Sequence, residues 1–143
     1  MHSNTYLGFD FGLKFLGVAV GQSITQTAQP LATLKMLQGE PNWEQLDPLI
    51  KEWQPKALIV GLALQPDGTH SKTSTLAEAF GHSLEKRYER PVYFIDERLT
   101  TVAARDLAKT LSRSCDKRKG EIDRISAAII LESWLNSGNH TSV

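Results

Sequence analysis

The chain has 143 residues, which suits one compact domain and leaves no room for two ordinary ones. Hydrophobic residues make up 41% and charged residues 22%, so the chain can form a single core and is not a disordered protein. The 16 basic and 16 acidic residues give a net charge of zero, which argues against a protein that coats nucleic acid by charge alone.

The sequence predicts neither a membrane-spanning segment nor a secretory signal peptide. No apolar run approaches the ~18 residues that a membrane span needs, and the first residues lack the pattern of a signal peptide. The single cysteine, Cys115, cannot form an internal disulfide. These features predict a protein of the reducing cytoplasm with no membrane partner.

The first half of the chain predicts three strands and one helix. Residues 6–12, 16–21 and 31–37 read as strands, and their short spacing predicts an antiparallel arrangement. A helix opened by Pro41 or Asn42 should follow, with Pro48 kinking it or moving its start later. Its buried face is predicted from apolar residues at three- and four-residue steps: Trp43, Leu46, Leu49, Ile50 and Trp53.

The second half predicts strands alternating with helices. The apolar run 57–60 and the run 92–95 are typical of buried strands. Between them, apolar residues at four-residue spacing from Leu76 to Tyr88 predict a helix, with Thr75 and Glu78 as its capping box. A helix over 100–111 and a last helix over 121–135 complete the prediction.

This element order predicts an α/β domain with a mixed central sheet. The first strands are antiparallel, the later ones belong to β–α units, and helices should cover both faces. We expect residues 1–137 to form one domain and residues 138–143 to form a flexible tail.

Three acidic residues occupy unusual positions. Asp10 interrupts an apolar strand, Glu97 follows a buried-type strand, and Asp123 lies on a helix stripe of small and apolar side chains. Each also has a structural alternative. Asp10 can shape the turn at Gly12, and Glu97 and Asp123 can each complement the positive end of a helix.

Parallel, adjacent strands would bring Asp10 and Glu97 to neighbouring positions, and the last helix can place Asp123 against the same spot. Three carboxylates in one place repel one another and need a cation. Oxygen ligands favour Mg²⁺ or Mn²⁺ over zinc, and the histidines and the cysteine show no competing ligand spacing. Divalent ions held by carboxylates cleave phosphodiesters with water as the nucleophile.

Several polar residues are candidates for phosphate contacts. Asp67 and Thr69, in a turn expected to offer free amides, and Ser71 precede a helix N-terminus, which attracts anions. A plain capped turn is the alternative reading. Lys14, Arg98 and Lys119 could each meet a phosphate. Residues 105–119 carry six basic and two acidic side chains, which suits a phosphate-binding patch or a solvated surface equally.

Four segments together resemble the YqgF family, whose members are described as Holliday junction resolvases or nucleases of pre-ribosomal RNA. They are the opening run from Gly8 to Gly21, the turn 66–69, the run 96–101 (Asp-Glu-Arg-Leu-Thr-Thr), and the run 119–131. They occur in the family's order and span nearly the whole chain. The run at 96–101 is specific to the family, whereas the opening Asp-x-Gly is not.

The resemblance implies an RNase H-like fold, a Mg²⁺ or Mn²⁺ site at Asp10, Glu97 and Asp123, and processing of the 5′ end of pre-16S rRNA. It extends the nucleic-acid contacts to Thr100. Three positions depart from the family's pattern: Phe15-Leu16 replaces a basic-aliphatic pair, Ala63 replaces a proline, and Glu121 replaces a frequent basic residue. None of them is a ligand, although Glu121 reduces the positive charge near the site.

The leading prediction is therefore a cytoplasmic nuclease for structured RNA, acting as a monomer or weak homodimer during ribosome maturation. A junction-resolving DNA endonuclease is the second reading, and it would require a symmetric dimer. A non-catalytic RNA-binding assembly factor is the third. An actin-like ATPase would need two domains, which 143 residues do not provide.

Overall fold

The computed structural model describes residues 4–97 and 119–137, with side chains in the last helix described from Arg124 onward. The chain begins with an antiparallel meander of β1 (Thr5–Phe11), β2 (Phe15–Gln22) and β3 (Thr27–Leu37). This confirms the three predicted strands. β3 begins four residues earlier than predicted, because its first half is largely exposed and lacks the apolar pattern that marks a strand.

A short strand that the sequence did not predict follows β3. β4 (Glu40–Pro41) pairs with the end of β3 through a two-residue turn at Gln38 and Gly39, whose φ angles are 55° and 83°. Positive φ at both central residues is the backbone of tight hairpin turns. Two residues carry too little periodicity to be recognised as a strand from the sequence.

Two further strands complete a mixed sheet. β5 (Ala57–Leu62) runs parallel to β1, and β6 (Val92–Asp96) runs parallel to β5. The spatial order is β4-β3-β2-β1-β5-β6. The prediction of a mixed sheet with antiparallel first strands is therefore confirmed.

Helix α1 (Trp43–Trp53) begins where the sequence predicted. The Asn42 side chain accepts a hydrogen bond from the Glu44 amide at 3.1 Å, which is the usual role of an N-cap residue. Pro48 lies inside the helix and does not move its start.

Helix α2 (Lys72–Tyr88) corrects the predicted capping box. Its N-cap is Ser71, whose hydroxyl accepts from the Ser74 amide at 3.0 Å. Thr75 instead lies in the first turn and donates its hydroxyl hydrogen to the Ser71 carbonyl oxygen. Ser71 takes the cap position because its backbone is extended there (φ −83°, ψ 171°).

The last described helix, α3 (Lys119–Asn136), extends the predicted 121–135 by two residues at its start and one at its end. The predicted helix over 100–111, most of the basic segment 105–119 and the tail 138–143 lie outside the described residues. No helix in the part of the chain that the structure describes is long and apolar enough to cross a membrane.

The sheet separates two cores. On one face, α1 and α2 pack on large side chains of β1, β2 and β5, among them Leu7, Phe9 and Leu58. On the other face, α3 covers Tyr6, Ala19 and Ile59. Helices therefore lie on both faces, as predicted.

Asp47 of α1 is bound by two consecutive residues at the end of α2. Its carboxylate accepts from Arg87 Nε (2.9 Å) and Nη2 (2.8 Å) and from the Tyr88 hydroxyl (2.6 Å). The hydrogen bonds from Arg87 and then from Tyr88 lower the pKa of Asp47 from its ordinary 3.8 to about 2. The Arg87 guanidinium also lies 4.8 Å from the centre of the Trp43 ring. These contacts join α1 to α2.

We expect Asp47→Asn to lose a pH-dependent part of the folding free energy. Because the pKa of Asp47 is lower in the folded protein, its stabilisation is present above about pH 4 and is lost as the pH falls towards 2. The effect should be small, since the Arg87 and Asp47 side chains are 43% and 44% exposed. Urea unfolding of parent and variant across this range should give stabilities that converge, and a constant difference would contradict it. Glu52→Gln, at an exposed position of the same helix, is the control.

Helix α3 approaches the sheet closely at Gly8. A Cβ atom at Gly8 would lie 2.6 Å from Leu131 Cβ and 3.2 Å from the Ala127 carbonyl oxygen. Any side chain here would push the helix away from β1. The missing side chain therefore sets the distance between α3 and the sheet.

We expect Gly8→Ala to destabilise the protein by about 1–3 kcal/mol, because the extra methyl group overlaps atoms that cannot move independently of the helix. Urea unfolding monitored by circular dichroism would measure the change. Gly39→Asn is the control, because nothing lies within 4 Å of that position and asparagine tolerates its positive φ. Equal stability of Gly8→Ala and the parent would show that the helix can shift freely.

Candidate active site

Asp10 lies near the carboxyl end of β1 and is half-buried. It pairs with Gly17 of β2 on one side and with Gly61 of β5 on the other. Its neighbours Phe9 and Phe11 point into the core beneath α1 and α2. Since side chains alternate along a strand, Asp10 lies on the opposite face, the one that α3 covers.

Glu97 directly follows β6 and also lies on the α3 face, two residues after Ile95 of the α3 core. A Cβ atom at Gly61 would lie 2.9 Å from Glu97 Oε1 and 3.1 Å from Glu97 Cγ. The Glu97 side chain therefore lies over Gly61, the residue that pairs with Asp10. The structure brings Asp10 and Glu97 to the same part of the sheet.

The strand arrangement behind this meeting differs from the prediction. Asp10 and Glu97 were expected on adjacent strands, but β5 lies between β1 and β6. Glu97 spans the extra strand because Gly61 has no side chain in its path. Gly61 follows the apolar run 57–60 in the sequence, and the sequence-based prediction gave it no part in placing Glu97. A glycine at the carboxyl end of a buried strand was the signal that could have identified it.

The third predicted carboxylate belongs to α3. The helix passes over the sheet with Leu135 and Leu131 near Gly21, Leu131 and Ala127 near Gly8, and Ile130 near Gly61. Gly21 pairs with Tyr6, at the opposite end of β1 from Asp10, so the helix N-terminus points towards the carboxyl end of β1. Asp123 lies one turn before Ala127 in this helix. Its side chain is outside the described part of the structure.

Among the side chains that the structure describes, no group of three or more His, Cys, Asp or Glu residues could hold a metal ion. Asp10 and Glu97, two of the three predicted metal ligands, both lie next to Gly61 at the edge of the sheet. The side chain of Lys119 and the residues Arg98 and Thr100 also lie outside the described part, so their predicted contacts stay predictions.

The loop from β5 to α2 starts at the same sheet edge as Asp10 and Glu97. The Asp67 carboxylate accepts from the Thr69 amide (3.0 Å) and the Thr69 hydroxyl (2.6 Å). The Gly68 amide donates to the Gln65 carbonyl oxygen at 2.8 Å. The expectation of free amides is therefore wrong at Gly68 and Thr69, because the turn satisfies its own backbone. Contacts of Asp67, Thr69 and Ser71 with nucleic acid stay a prediction.

Two further residues fix the end of this loop. Ser71 donates its hydroxyl hydrogen to the Ala63 carbonyl oxygen at 2.8 Å, which closes the loop on itself. His70, which sequence reasoning set aside as lacking metal-ligand spacing, lies against α2. Its Nδ1 is 3.1 Å from the Ser74 hydroxyl oxygen and its Nε2 is 3.6 Å from Glu78 Oε2. The four-residue spacing of these three residues was a visible signal of this contact.

Lys14 lies in the turn between β1 and β2, at the end of the sheet that carries Asp10. Its side chain is exposed, and its carbonyl oxygen accepts from the Met36 amide at 2.9 Å. The turn is thereby attached to the end of β3. Of the predicted basic contacts with phosphate, Lys14 is the one whose side chain the structure describes, and its turn lies at the same end of the sheet as Asp10.

Comparison with known proteins relates the chain to nucleases. The model of the RuvX family, described as Holliday junction resolvase, matches residues 4–137. A relative from Aeromonas hydrophila, named "Putative pre-16S rRNA nuclease", is 47% identical over 137 residues, covering 94% of this chain and 96% of its own. A relative of the same name from Nitrosococcus oceani is 47% identical over 129 residues, covering 90% of this chain and 84% of its own.

Solved structures share the architecture at low sequence identity. Thermus thermophilus RuvC in complex with a Holliday junction substrate is 16% identical, with a TM-score of 0.57 over 94% of this chain and 96% of its own. Fowlpox virus resolvase in complex with Holliday junction DNA is 15% identical, with a TM-score of 0.56 over 93% of this chain and 97% of its own. The RNase H-like fold implied by the sequence resemblance is confirmed.

Proposed function

This chain belongs to the RuvX family, which is the YqgF family that its sequence resembles, and it is a nuclease. We propose that it uses a divalent metal to process the 5′ end of pre-16S rRNA. One observation carries the mechanism: the Glu97 side chain lies over Gly61, the strand partner of Asp10. Two carboxylates thus share one half-buried place at the sheet edge. The substrate is supported by the names of the relatives.

The described residues fit a divalent cation. Asp10 and Glu97 supply oxygen ligands, which Mg²⁺ and Mn²⁺ prefer, and Gly61 leaves the space that the Glu97 side chain occupies. Asp123, one turn before Ala127, would complete the set from α3. A bound ion would polarise the phosphate and make water more acidic. The two carboxylates would hold the ion from the sheet, and the apolar core under α3 would limit access of water from that side.

Positioning of the RNA falls to the groups around this edge. Lys14 in the β1–β2 turn is placed to meet a phosphate beside the reacting one. The loop from Asp67 to Ser71, ordered by its own hydrogen bonds, lies at the N-terminus of α2, where an anion is favoured, with Thr69 exposed to solvent. Arg98, Thr100 and Lys119 are the remaining proposed contacts. We place the reaction in the cytoplasm, with the RNA presented by a pre-ribosomal particle.

A Holliday junction endonuclease is the second candidate. The family description and the two resolvase complexes with the same fold favour it. Cleavage of two opposed strands would need a symmetric dimer, whereas RNA trimming needs one site. We propose a monomer or weak homodimer, as RNA trimming requires; a stable symmetric dimer would instead favour the DNA junction. Sedimentation at micromolar concentration would separate these expectations.

A cleavage assay tests the function directly. Purified protein would be incubated with labelled pre-16S RNA, or with a synthetic four-way DNA junction, in Mg²⁺, Mn²⁺ or EDTA. We expect RNA cleavage that depends on the metal. Junction cleavage alone would support the second candidate, and binding without cleavage of either substrate would support a non-catalytic assembly factor.

The carboxylates have a matched set of variants. We expect Asp10→Asn, Glu97→Gln and Asp123→Asn each to abolish cleavage, since each removes a ligand charge while keeping the shape of the side chain. Thermal unfolding without metal should stay unchanged or rise, because the like-charge repulsion is relieved. Asp47→Asn, far from the sheet edge on α1, is the control and should cleave normally. Full activity in any of the three would refute that residue's role.

Gly61→Ala tests how the site is assembled. The new methyl group would overlap Glu97 Oε1 and Ile130 Cδ1 (2.7 Å), so the carboxylate must move. We expect cleavage to fall on the order of 10²-fold, as for other small displacements of reacting groups. Adding Ile130→Val removes the contact with Ile130 Cδ1 but not the contact with Glu97. The double variant should regain stability but not activity, and recovery of both would show that Gly61 does not position Glu97.

A further inference from the structure

A second surface lies on the same sheet face as Asp10, two strands away. Asp10 pairs with Gly17, which pairs with Thr33 of β3, and these three residues form one row across the sheet. One step further towards the end of the sheet, Phe15 pairs with Lys35. Leu16 and Leu34 point into the core on the other face, so Phe15 and Lys35 share the face of Asp10.

Several side chains around this pair are exposed to solvent. Lys14 and Lys35 are exposed, and Phe15 is only partly buried. Leu37, the next residue of β3 on this face, is 77% exposed. We call Phe15, Lys35 and Leu37, together with Lys14 of the adjoining β1–β2 turn, the β2–β3 surface.

The charges of this surface are available for a ligand. Within residues 4–97 and 124–137, neither Lys14 nor Lys35 has an ion-pair partner. The nearest acidic residue along the hairpin is Glu40 of β4, which pairs with Leu37. The negative charge of Glu40 ends the positively charged area at Leu37. The two lysines therefore favour an anion that lies between Asp10 and Lys35.

Neighbouring strands lie ~4.8 Å apart, so Lys35 is about 10 Å across the sheet from Asp10. A nucleic-acid strand cut at Asp10 and Glu97 must continue in some direction, and this surface lies on the same sheet face, two strands from Asp10. An aromatic ring beside lysines, here the partly exposed Phe15, suits unpaired bases, whose faces a duplex hides, and Leu37 adds exposed apolar area on the same face.

We propose that the β2–β3 surface binds an unpaired segment of the nucleic acid next to the cleaved bond. The lysines contact its phosphates, and Phe15 and Leu37 contact the face of a base. This inference rests on the proposed nuclease function but concerns binding alone. It therefore assigns a single-stranded flank to the substrate and a direction in which that flank leaves the site.

Binding measured without cleavage tests the surface. Fluorescence anisotropy in EDTA would follow a labelled 20-nucleotide single-stranded RNA and the matching duplex at several salt concentrations. We expect Lys35→Gln to lower the salt slope of single-strand binding by about 0.7, the value for one lost phosphate contact. Leu37→Ser should weaken single-strand binding about fivefold without changing the slope, and should leave duplex binding unchanged.

Lys56→Gln is the matched control, because Lys56 is exposed at the opposite end of the sheet, next to the start of β5. Its salt slope should equal that of the parent. Equal slopes for Lys35→Gln and Lys56→Gln would overturn the proposal, as would equal weakening of single strand and duplex by Leu37→Ser. Because the assay contains no metal, a failure here is separate from a failure of Asp10→Asn to abolish cleavage.

Discussion

The candidate site depends on two glycines of the sheet, Gly8 and Gly61, which let helix α3 and the Glu97 side chain come close to the strands. At Gly8 the backbone of α3 comes so near β1 that a Cβ atom would lie 2.6 Å from Leu131 Cβ. At Gly61 the same face admits the Glu97 side chain, with a would-be Cβ 2.9 Å from Oε1. Removing two side chains from the sheet lets a helix and a carboxylate come close to Asp10. Larger residues at either position would separate these parts.

The two cores on either side of the sheet differ in size and in their position relative to the candidate site. The core under α1 and α2 is built of large residues such as Leu7, Phe9 and Phe80 and holds the strands in place. The bonds from Arg87 and Tyr88 to Asp47 connect the two helices at their surface. The core under α3 is smaller and ends beside Asp10 and Glu97. The large core under α1 and α2 thus holds the sheet whose opposite face carries Asp10 and Glu97.

The edge at the carboxyl ends of β1, β5 and β6 gathers segments that are distant in the chain. The loop after β5 is closed by Asp67 and Ser71, and His70 attaches it to α2. The β1–β2 turn is attached to β3 through the carbonyl oxygen of Lys14. Ordered loops on a firm scaffold reduce the entropy lost when a long polyanion binds. The same edge therefore carries both the proposed metal site and the surface proposed for the flanking strand.

The sequence by itself determined the local elements and the residue types of the site. The apolar periods located β1, β2, β5, β6 and three of the helices, because such periods reflect burial of one face. Asp10 stood out as a charge within an apolar strand, and Glu97 as an acidic residue directly after a buried-type strand. Only the tertiary structure decided that β5 lies between their strands, that Gly61 gives Glu97 its place, and that the turn amides near Thr69 are already bonded. These facts depend on strand order and contact distance, which link residues far apart in the chain and leave no periodic trace in it.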